Sequence, residues 1–308
     1  MRTLTIIAFI TLGVIWGSNF IFMKWAAEVI TPSQTTLLRV LFGFLPLFGF
    51  ALCIKALKWA DLRHWYHFVV MSLLATAVYY LAFAKGTALL PSSVAGMLSG
   101  SIPLFTFLAA LIFLRDEPIN RSSMSGTVLG FIGVLIIAQP WNSSGSVSIE
   151  GVLYMLGGAL CVGVSFVYAK IFIKPLEIAP LALATYQTGF ATILLFATTE
   201  TSNISFILGD LKALIAMVIG LGILGTGLAY IIYYFLVNQM GAIAASGVTY
   251  IPPIVALLIG FTLVGEDIRS SDLLAVVLIL TGVWLVQRAR IQMEKAPLSA
   301  TRCSESRV

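Results

Sequence analysis

Two stretches of this chain, Ser92 to Val134 and Gly241 to Val283, are written to one plan. Each starts with small residues and enters an apolar run interrupted at its middle by proline (Pro103; Pro252 and Pro253). An acidic turn follows (Asp116-Glu117-Pro118; Gly265-Glu266-Asp267), then a second apolar run with a late glycine. At a constant spacing of 149 residues, without a gap, Ala95 falls on Ala244, Ile102 on Ile251, Pro103 on Pro252, Glu117 on Glu266 and Gly133 on Gly282. Aliphatic pairs match cheaply in an apolar chain, but proline, glutamate and glycine in one register do not. The chain is an internal duplication, so any site it builds has to be considered against two related halves.

Composition says what medium those halves fold in. Of 308 residues, 59% are hydrophobic and 10% charged, with a mean hydropathy of +1.02. A soluble domain carries about 25% charge, so the sequence predicts an all-α integral membrane protein. A net charge of +5 raises the question of nucleic acid, but the charges sit in short loops and the C-terminal tail, where they set topology. No nucleic-acid partner is expected. Cys53, Cys161 and Cys303 have no framework spacing and imply no disulfide scaffold.

Ten spans follow from the apolar runs. Arg2 and the run after it mimic a signal peptide, but Thr3 to Met23 is uncharged over a bilayer length, so it is read as helix one, 4–24. The next are 33–55, 66–86, 92–114, 123–139, 151–171 and 181–198. From Ala213 to Gly265 no charge occurs, a length of about 80 Å as helix against a hydrocarbon core of about 30 Å. It divides into 214–236 and 242–264, hinged at Asn238-Gln239-Met240-Gly241. Helix ten is 272–288. The repeats are 4–139 and 151–288, and 289–308 is expected to be a disordered cytoplasmic tail.

Basic residues orient the spans. With the N-terminus inside, the cytoplasmic segments and tail hold thirteen Lys and Arg, the far side holds Lys24, Lys85, Lys212 and Arg269, and Arg39 lies within helix two. Both termini are therefore expected in the cytoplasm. Five spans per repeat is an odd number, so the second copy enters from the opposite side: the repeat is inverted.

The first halves of the repeats match more loosely. Gly17, Phe20 and Lys24 fall on Gly163, Phe166 and Lys170, and Thr76 and Tyr80 fall on Thr226 and Tyr230. Trp16-Gly17-Ser18-Asn19-Phe20 with Lys24 resembles the first-helix signature of the drug/metabolite transporter superfamily, in its ten-helix branch of two EamA domains. Arg39 and the run from Ser93 through Pro103, Glu117 and Gly133 resemble further family positions. The second copy departs from the pattern, with Ser165 in place of the signature asparagine and Gln187 opposite Arg39. The two halves are chemically unequal.

Inverted repeats place a site near the bilayer midplane on interrupted helices. Pro103 and Pro252 remove amide donors and free carbonyls, which in hydrocarbon need protein or cavity water; a packing kink is the plain alternative. Ser99 precedes one proline and Tyr250 the other. Trp16 and Asn19 lie one turn apart on one face. Tyr79, Tyr80, Tyr168 and Tyr230 are further intramembrane polar aromatics, although tyrosines near span ends are commonly interfacial. Arg39 either snorkels to the headgroups or faces the protein and binds a carboxylate. These residues, Trp16, Asn19, Arg39, Tyr79, Tyr80, Ser99, Pro103, Tyr168, Tyr230, Tyr250 and Pro252, are the candidate substrate site. The lining suits a small amphipathic solute and argues against a highly anionic one, for which clustered Lys or Arg would be needed.

Other patterns carry less. Gly220-Leu221-Gly222-Ile223-Leu224-Gly225 has dinucleotide spacing but lies mid-helix with no preceding strand. His64 and His67 sit at a membrane edge with no further ligand nearby, so neither metal nor other cofactor is expected. No nucleotide-binding P-loop is present, and the deep serines have no histidine or carboxylate beside them for enzyme chemistry. The resemblance implies a secondary transporter exporting small metabolites, amino acids or related compounds first, across the inner (plasma) membrane. A broader drug or vitamin carrier and a non-transporting scaffold are the alternatives. The expected partners are a small-molecule substrate and the lipid bilayer; self-association is left open.

Overall fold

The computed structural model describes residues 2–114, 121–139, 147–240, 245 and 247–295. These form ten helical spans long and apolar enough to cross a membrane, and contain no strand. They are α1 (Thr3–Ala27), α2 (Pro32–Cys53), α3 (Trp59–Leu89), α4 (Ser92–Phe113) and α5 (Arg121–Ala138), then α6 (Ile149–Leu176), α7 (Pro180–Thr198), α8 (Leu211–Leu236), α9 (Gly247–Val264) and α10 (Ser270–Arg288). The expected spans are thus found, several of them extended, as α6 is to Leu176. A 3-10 turn, Trp59–His64, lengthens α3 at its start. The helix of α10 runs on to Lys295, which corrects the expectation of disorder from 289: Gln292, Met293, Glu294 and Lys295 are good helix formers, and nothing after Arg288 breaks the ladder. The acidic turn at Glu117, Pro140-Trp141, the hinge glycine 241 and the tail 296–308 lie outside the described residues.

Local chemistry sets the helix starts. Thr31 caps α2 in a reciprocal capping box with Gln34. The Gln34 side chain also donates to the carbonyls of Glu200 and Ser202 at 3.0 and 2.8 Å, tying the α7–α8 loop to α2. Asp210 caps α8 by accepting from the amide of Ala213 at 2.9 Å.

The spans pack in a pattern that survives exchange of the two halves. α4 packs on α9, α5 on α10 and α2 on α7, each helix against its own image. The remaining large interfaces come as image pairs: α1–α9 with α6–α4, α3–α6 with α8–α1, and α2–α8 with α7–α3. Glycines fix the closest of these approaches. A methyl at Gly17 would lie 2.5 Å from Val255 Cβ and 3.1 Å from the Pro252 carbonyl. At the matching Gly163 it would lie 2.7 Å from the Thr106 amide nitrogen. Thr106 and Val255 stand at the 149-residue spacing, so the two contacts are one contact made twice. With ten crossings both ends of the bundle fall on one face, called the N-face below.

Candidate functional site

Two features of the backbone prepare the centre of the bundle. α4 is a helix from Ser92 to Ser99, a short turn, and a fresh helix beginning at Ile102 with Pro103 in its first turn. α9 opens with a 3-10 turn, Gly247–Tyr250, before a helix that starts at Ile251 with Pro252 behind it. Each proline therefore sits where its missing amide leaves no gap in the ladder. π-helical stretches occur at matching places in α3 (Leu73–Ala77) and α8 (Ala216–Leu228). They carry Thr76 and Thr226; Thr226 Oγ donates to Leu221 O, five residues back, at 3.0 Å.

These interruptions surround a cavity of about 370 Å³. Nine of the expected residues line it: Trp16, Asn19, Arg39, Tyr79, Tyr80, Ser99, Pro103, Tyr230 and Pro252. Both halves contribute, with Phe20 and its image Phe166, Asn19 and its image Ser165, and Pro103 and its image Pro252 on the wall. Two residues lie elsewhere. Tyr168 sits toward the N-face end of α6, where its hydroxyl is 2.6 Å from His67 Nδ1 and its ring packs on Phe172. Tyr250 is the last residue of the 3-10 turn, which directs Thr249 into the cavity and Tyr250 back into the core. The Tyr250 hydroxyl is buried without a partner among the described residues. Sequence reasoning passed over Met23, Phe107 and Tyr233, which also line the cavity; as apolar or aromatic residues in apolar runs they carry no signal of their own.

Arg39 is the sole charged residue on the described wall. It is 4% exposed and does not snorkel. Its guanidinium lies 3.8 Å over the Tyr80 ring, Nε donates to Thr226 Oγ at 3.2 Å, and Nη1 reaches only the Met23 sulfur at 3.8 Å. With the Asn19 amide oriented to donate to Ile15 O at 3.2 Å, its oxygen accepts from Arg39 Nη2 at 3.1 Å. On the other side of the pseudo-axis Gln187 makes the corresponding bonds. Its Nε2 lies 3.4 Å from both Thr76 Oγ and the Tyr230 hydroxyl.

Among the described residues the two ends of the cavity differ. Thr249, Tyr233 and Gln287, half-buried, line it near the N-face ends of α9, α8 and α10. Asn19, Phe20, Met23, Arg39 and Phe83, all buried, close it toward the far face. Beyond them the far face is sealed by polar ties. Gly265, at φ 71°, turns the chain so that Glu266 reaches back to the start of α4. One carboxylate oxygen accepts from the Ser92 amide and hydroxyl at 2.7 and 2.8 Å, and the other from the Ser93 amide at 2.9 Å. Burial alone would raise this carboxyl, but the bonds from Ser93 and Ser92 outweigh it and hold the pKa below the ordinary value. Lys24 Nζ donates to Leu90 O at 2.9 Å, and Gly96 packs on Ala256 beneath.

A ten-helix bundle whose cavity is aromatic and partly polar, lined by half-buried residues toward one face and closed by buried residues and polar ties at the other, has the architecture of a membrane transporter. Residues 3–139 and 149–288 match the EamA-like transporter family, and the chain belongs to it. It is a multi-pass membrane protein. It is similar to an uncharacterized transporter of Archaeoglobus fulgidus, 26% identical, covering 89% of this chain and 95% of that one. It is also similar to the uncharacterized transporter YoaV of Bacillus subtilis, 25% identical over 90% of this chain and 94% of that one. The uncharacterized inner membrane transporter YedA of Escherichia coli is 24% identical over 95% and 94%. A solved crystal structure with 19% identity shares the fold, with a TM-score of 0.63 over 96% of this chain and all of the other.

Proposed function

We propose that the protein is a secondary transporter of the inner membrane that exports small amphipathic metabolites, amino acids or related compounds, by alternating access. The observation that carries this reading is the unequal treatment of α4 and α9 at the two faces. At the far face they meet through Gly96 and Ala256 and are locked by Glu266 on Ser92 and Ser93. At the N-face the image of Ala256, Phe107, borders open cavity, and the image of Gly96, Ala245, packs with Leu12 and Val248 instead. Two halves with one sequence plan support two such closures, one at each face. Exchanging them moves the cavity's opening across the membrane.

The split of basic residues supports a cytoplasmic N-face, which makes this the inward-open, substrate-loading state of an exporter. The cavity has room for a small metabolite and lies within the ordinary size of ligand sites. Reconstitution into liposomes and counterflow with a panel of amino acids and related metabolites tests the reading. Accumulation of a panel member that depends on the protein and on trans-side substrate is the expected result. No counterflow of any member would remove the proposal.

A further inference from the structure

Within that reading, we infer that the site recognises an organic monocarboxylate with an apolar body about the size of a phenyl ring, and binds it through Arg39 without needing an ammonium group on the substrate.

The inference starts from an unbalanced charge. Arg39 is a buried cation, and no aspartate or glutamate lies on the described cavity wall to offset it. A guanidinium stays charged in any protein setting and presents five N–H donors in a planar fork. Three of the five have partners: Nε on Thr226, one Nη1 on a thioether sulfur and one Nη2 on the Asn19 amide oxygen. All three acceptors are neutral, and the thioether is the weakest acceptor a side chain offers. One hydrogen on each terminal nitrogen has no partner among the described residues. Two such hydrogens on adjacent nitrogens match the two oxygens of a carboxylate. An anion there would balance the buried charge and replace the sulfur contact with a charge-assisted bond.

The rest of the wall decides what the anion is attached to. One fork fits one carboxylate, and no second cation lies on the described wall for a dianion or a phosphate. Much of the remaining wall is aromatic: Phe20, Phe83 and Tyr79, then Trp16 and, toward the N-face, Tyr233. They suit a flat apolar body. An α-ammonium would stand within about 4 Å of the bound carboxylate, in the repulsive field of the same guanidinium, where a low dielectric makes like charges costly. The ring that would best serve an ammonium nearby, Tyr80, already has Arg39 on its face. The site therefore prefers the carboxylate alone to the zwitterion, and the zwitterion to the amine.

Three probes with one phenyl body separate these possibilities: hydrocinnamate carries the carboxylate alone, phenylalanine both groups, and phenethylamine the amine alone. Binding of labelled hydrocinnamate to the purified full-length protein in nanodiscs, with the other two as competitors, gives the ranking. The expected order is hydrocinnamate, phenylalanine, phenethylamine, with about tenfold or more between first and last. Arg39→Gln places at this position the side chain that already stands at its image, Gln187, and retains an amide donor for Thr226. It should weaken hydrocinnamate about ten- to a hundredfold and change phenethylamine by less than about threefold. A preference for phenethylamine or phenylalanine in the unaltered protein overturns the inference, whether or not the variant folds. So does equal hydrocinnamate binding by a folded Arg39→Gln protein. Arg39-dependent binding without counterflow would uphold it and remove the transport reading instead.

Discussion

Arg39 on α2 and Gln187 on α7 make one interaction twice. Arg39 Nε donates to Thr226 of α8 while Tyr80 of α3 lies against its guanidinium; Gln187 donates to Thr76 of α3 and to Tyr230 of α8. Thr76 and Thr226, and Tyr80 and Tyr230, are image residues, so the frame is symmetric and the charge is not. Among the described residues, a duplicated scaffold thereby holds a single cation on the cavity wall.

Arg39→Lys tests whether the fork or the charge matters. Lysine keeps the charge on a flexible stem but cannot hold Thr226, the Asn19 oxygen and a carboxylate in one plane while stacking on Tyr80. Transport by the lysine variant should fall about tenfold or more, as far as in Arg39→Ala at equal expression. Counterflow rates per inserted protein measure it. A fully active lysine variant would mean that only charge is required.

Glu266 ties the end of α9 to the start of α4 at the far face, and the sign of the tie's pH dependence follows from its hydrogen bonds. Its folded-state carboxyl titrates below the ordinary carboxylate value. The ionised tie is therefore intact above that ordinary range and is lost as pH falls through the depressed value. Closure should be flat from about pH 5 to 8 and weaken below about pH 4. Glu266→Gln loses the charge-assisted bonds at every pH. With the native cysteines replaced, Met23→Cys at the far-face end of the cavity should react with an impermeant reagent from the N-face only. Adding Glu266→Gln should raise its labelling from the far face about tenfold at neutral pH. Unchanged far-face labelling would reduce Glu266 to a helix cap.

The helix-packing glycines divide sharply by environment. A methyl at Gly163 meets the α4 backbone 2.7 Å away, whereas one at Gly157 on the same helix meets nothing within 4 Å. Gly163→Ala should destabilise the bundle by about 1–3 kcal/mol through displaced helices. Gly157→Ala should be neutral or gain up to about 1 kcal/mol from helix propensity. Thermal unfolding in one detergent compares them directly, and equal melting temperatures would sink the close-packing account.

Sidedness has its own test. Ser122 begins α5 and Ser271 begins α10, on opposite faces of the bundle. Cysteines there, in an otherwise cysteine-free protein, should label one and not the other in intact cells: Ser271→Cys outside, Ser122→Cys inside. If both or neither react, the inverted arrangement fails.

Much of this was legible in the sequence because membrane helices announce themselves by length and polarity. The uncharged stretch from Ala213 to Gly265 forces two spans, and the register of Pro103 with Pro252 points to the interrupted helices. Arg39 stood out because a charge inside a span is expensive. What stayed hidden depended on rotation and company. Thr249 and Tyr250 are neighbours in a 3-10 turn, and which of them meets the cavity is decided by that turn and not by polarity. Met23 and Phe107 look like any apolar residue until the cavity is seen beside them. The bonds from Glu266 to Ser92 and Ser93 join positions more than 170 residues apart, which no local pattern predicts.

The central prolines give the last prediction. In α4 the amides of Gly100 and Ser101 bond the carbonyls of Met97 and Leu98, three residues back, and a new helix then starts from Ser101. Pro103 sits in the first turn of that helix, where proline costs little, and Pro252 has the same place in α9. Replacing either with alanine should leave stability within about 1 kcal/mol. What alanine adds is an amide that can bond back across the break and make α4 one continuous helix; in α9 Pro253 has to be replaced as well, because it also lacks an amide. On the alternating-access reading the two closures need these helices to bend at that point, because each packs tightly at the far face and borders the cavity toward the N-face. Pro103→Ala, and Pro252→Ala combined with Pro253→Ala, should therefore insert and melt like the unaltered protein, bind substrate, and slow counterflow about tenfold by stiffening the exchange of states. Normal counterflow in both variants would make the prolines simple helix starts and move the hinge to the π-helical stretches of α3 and α8.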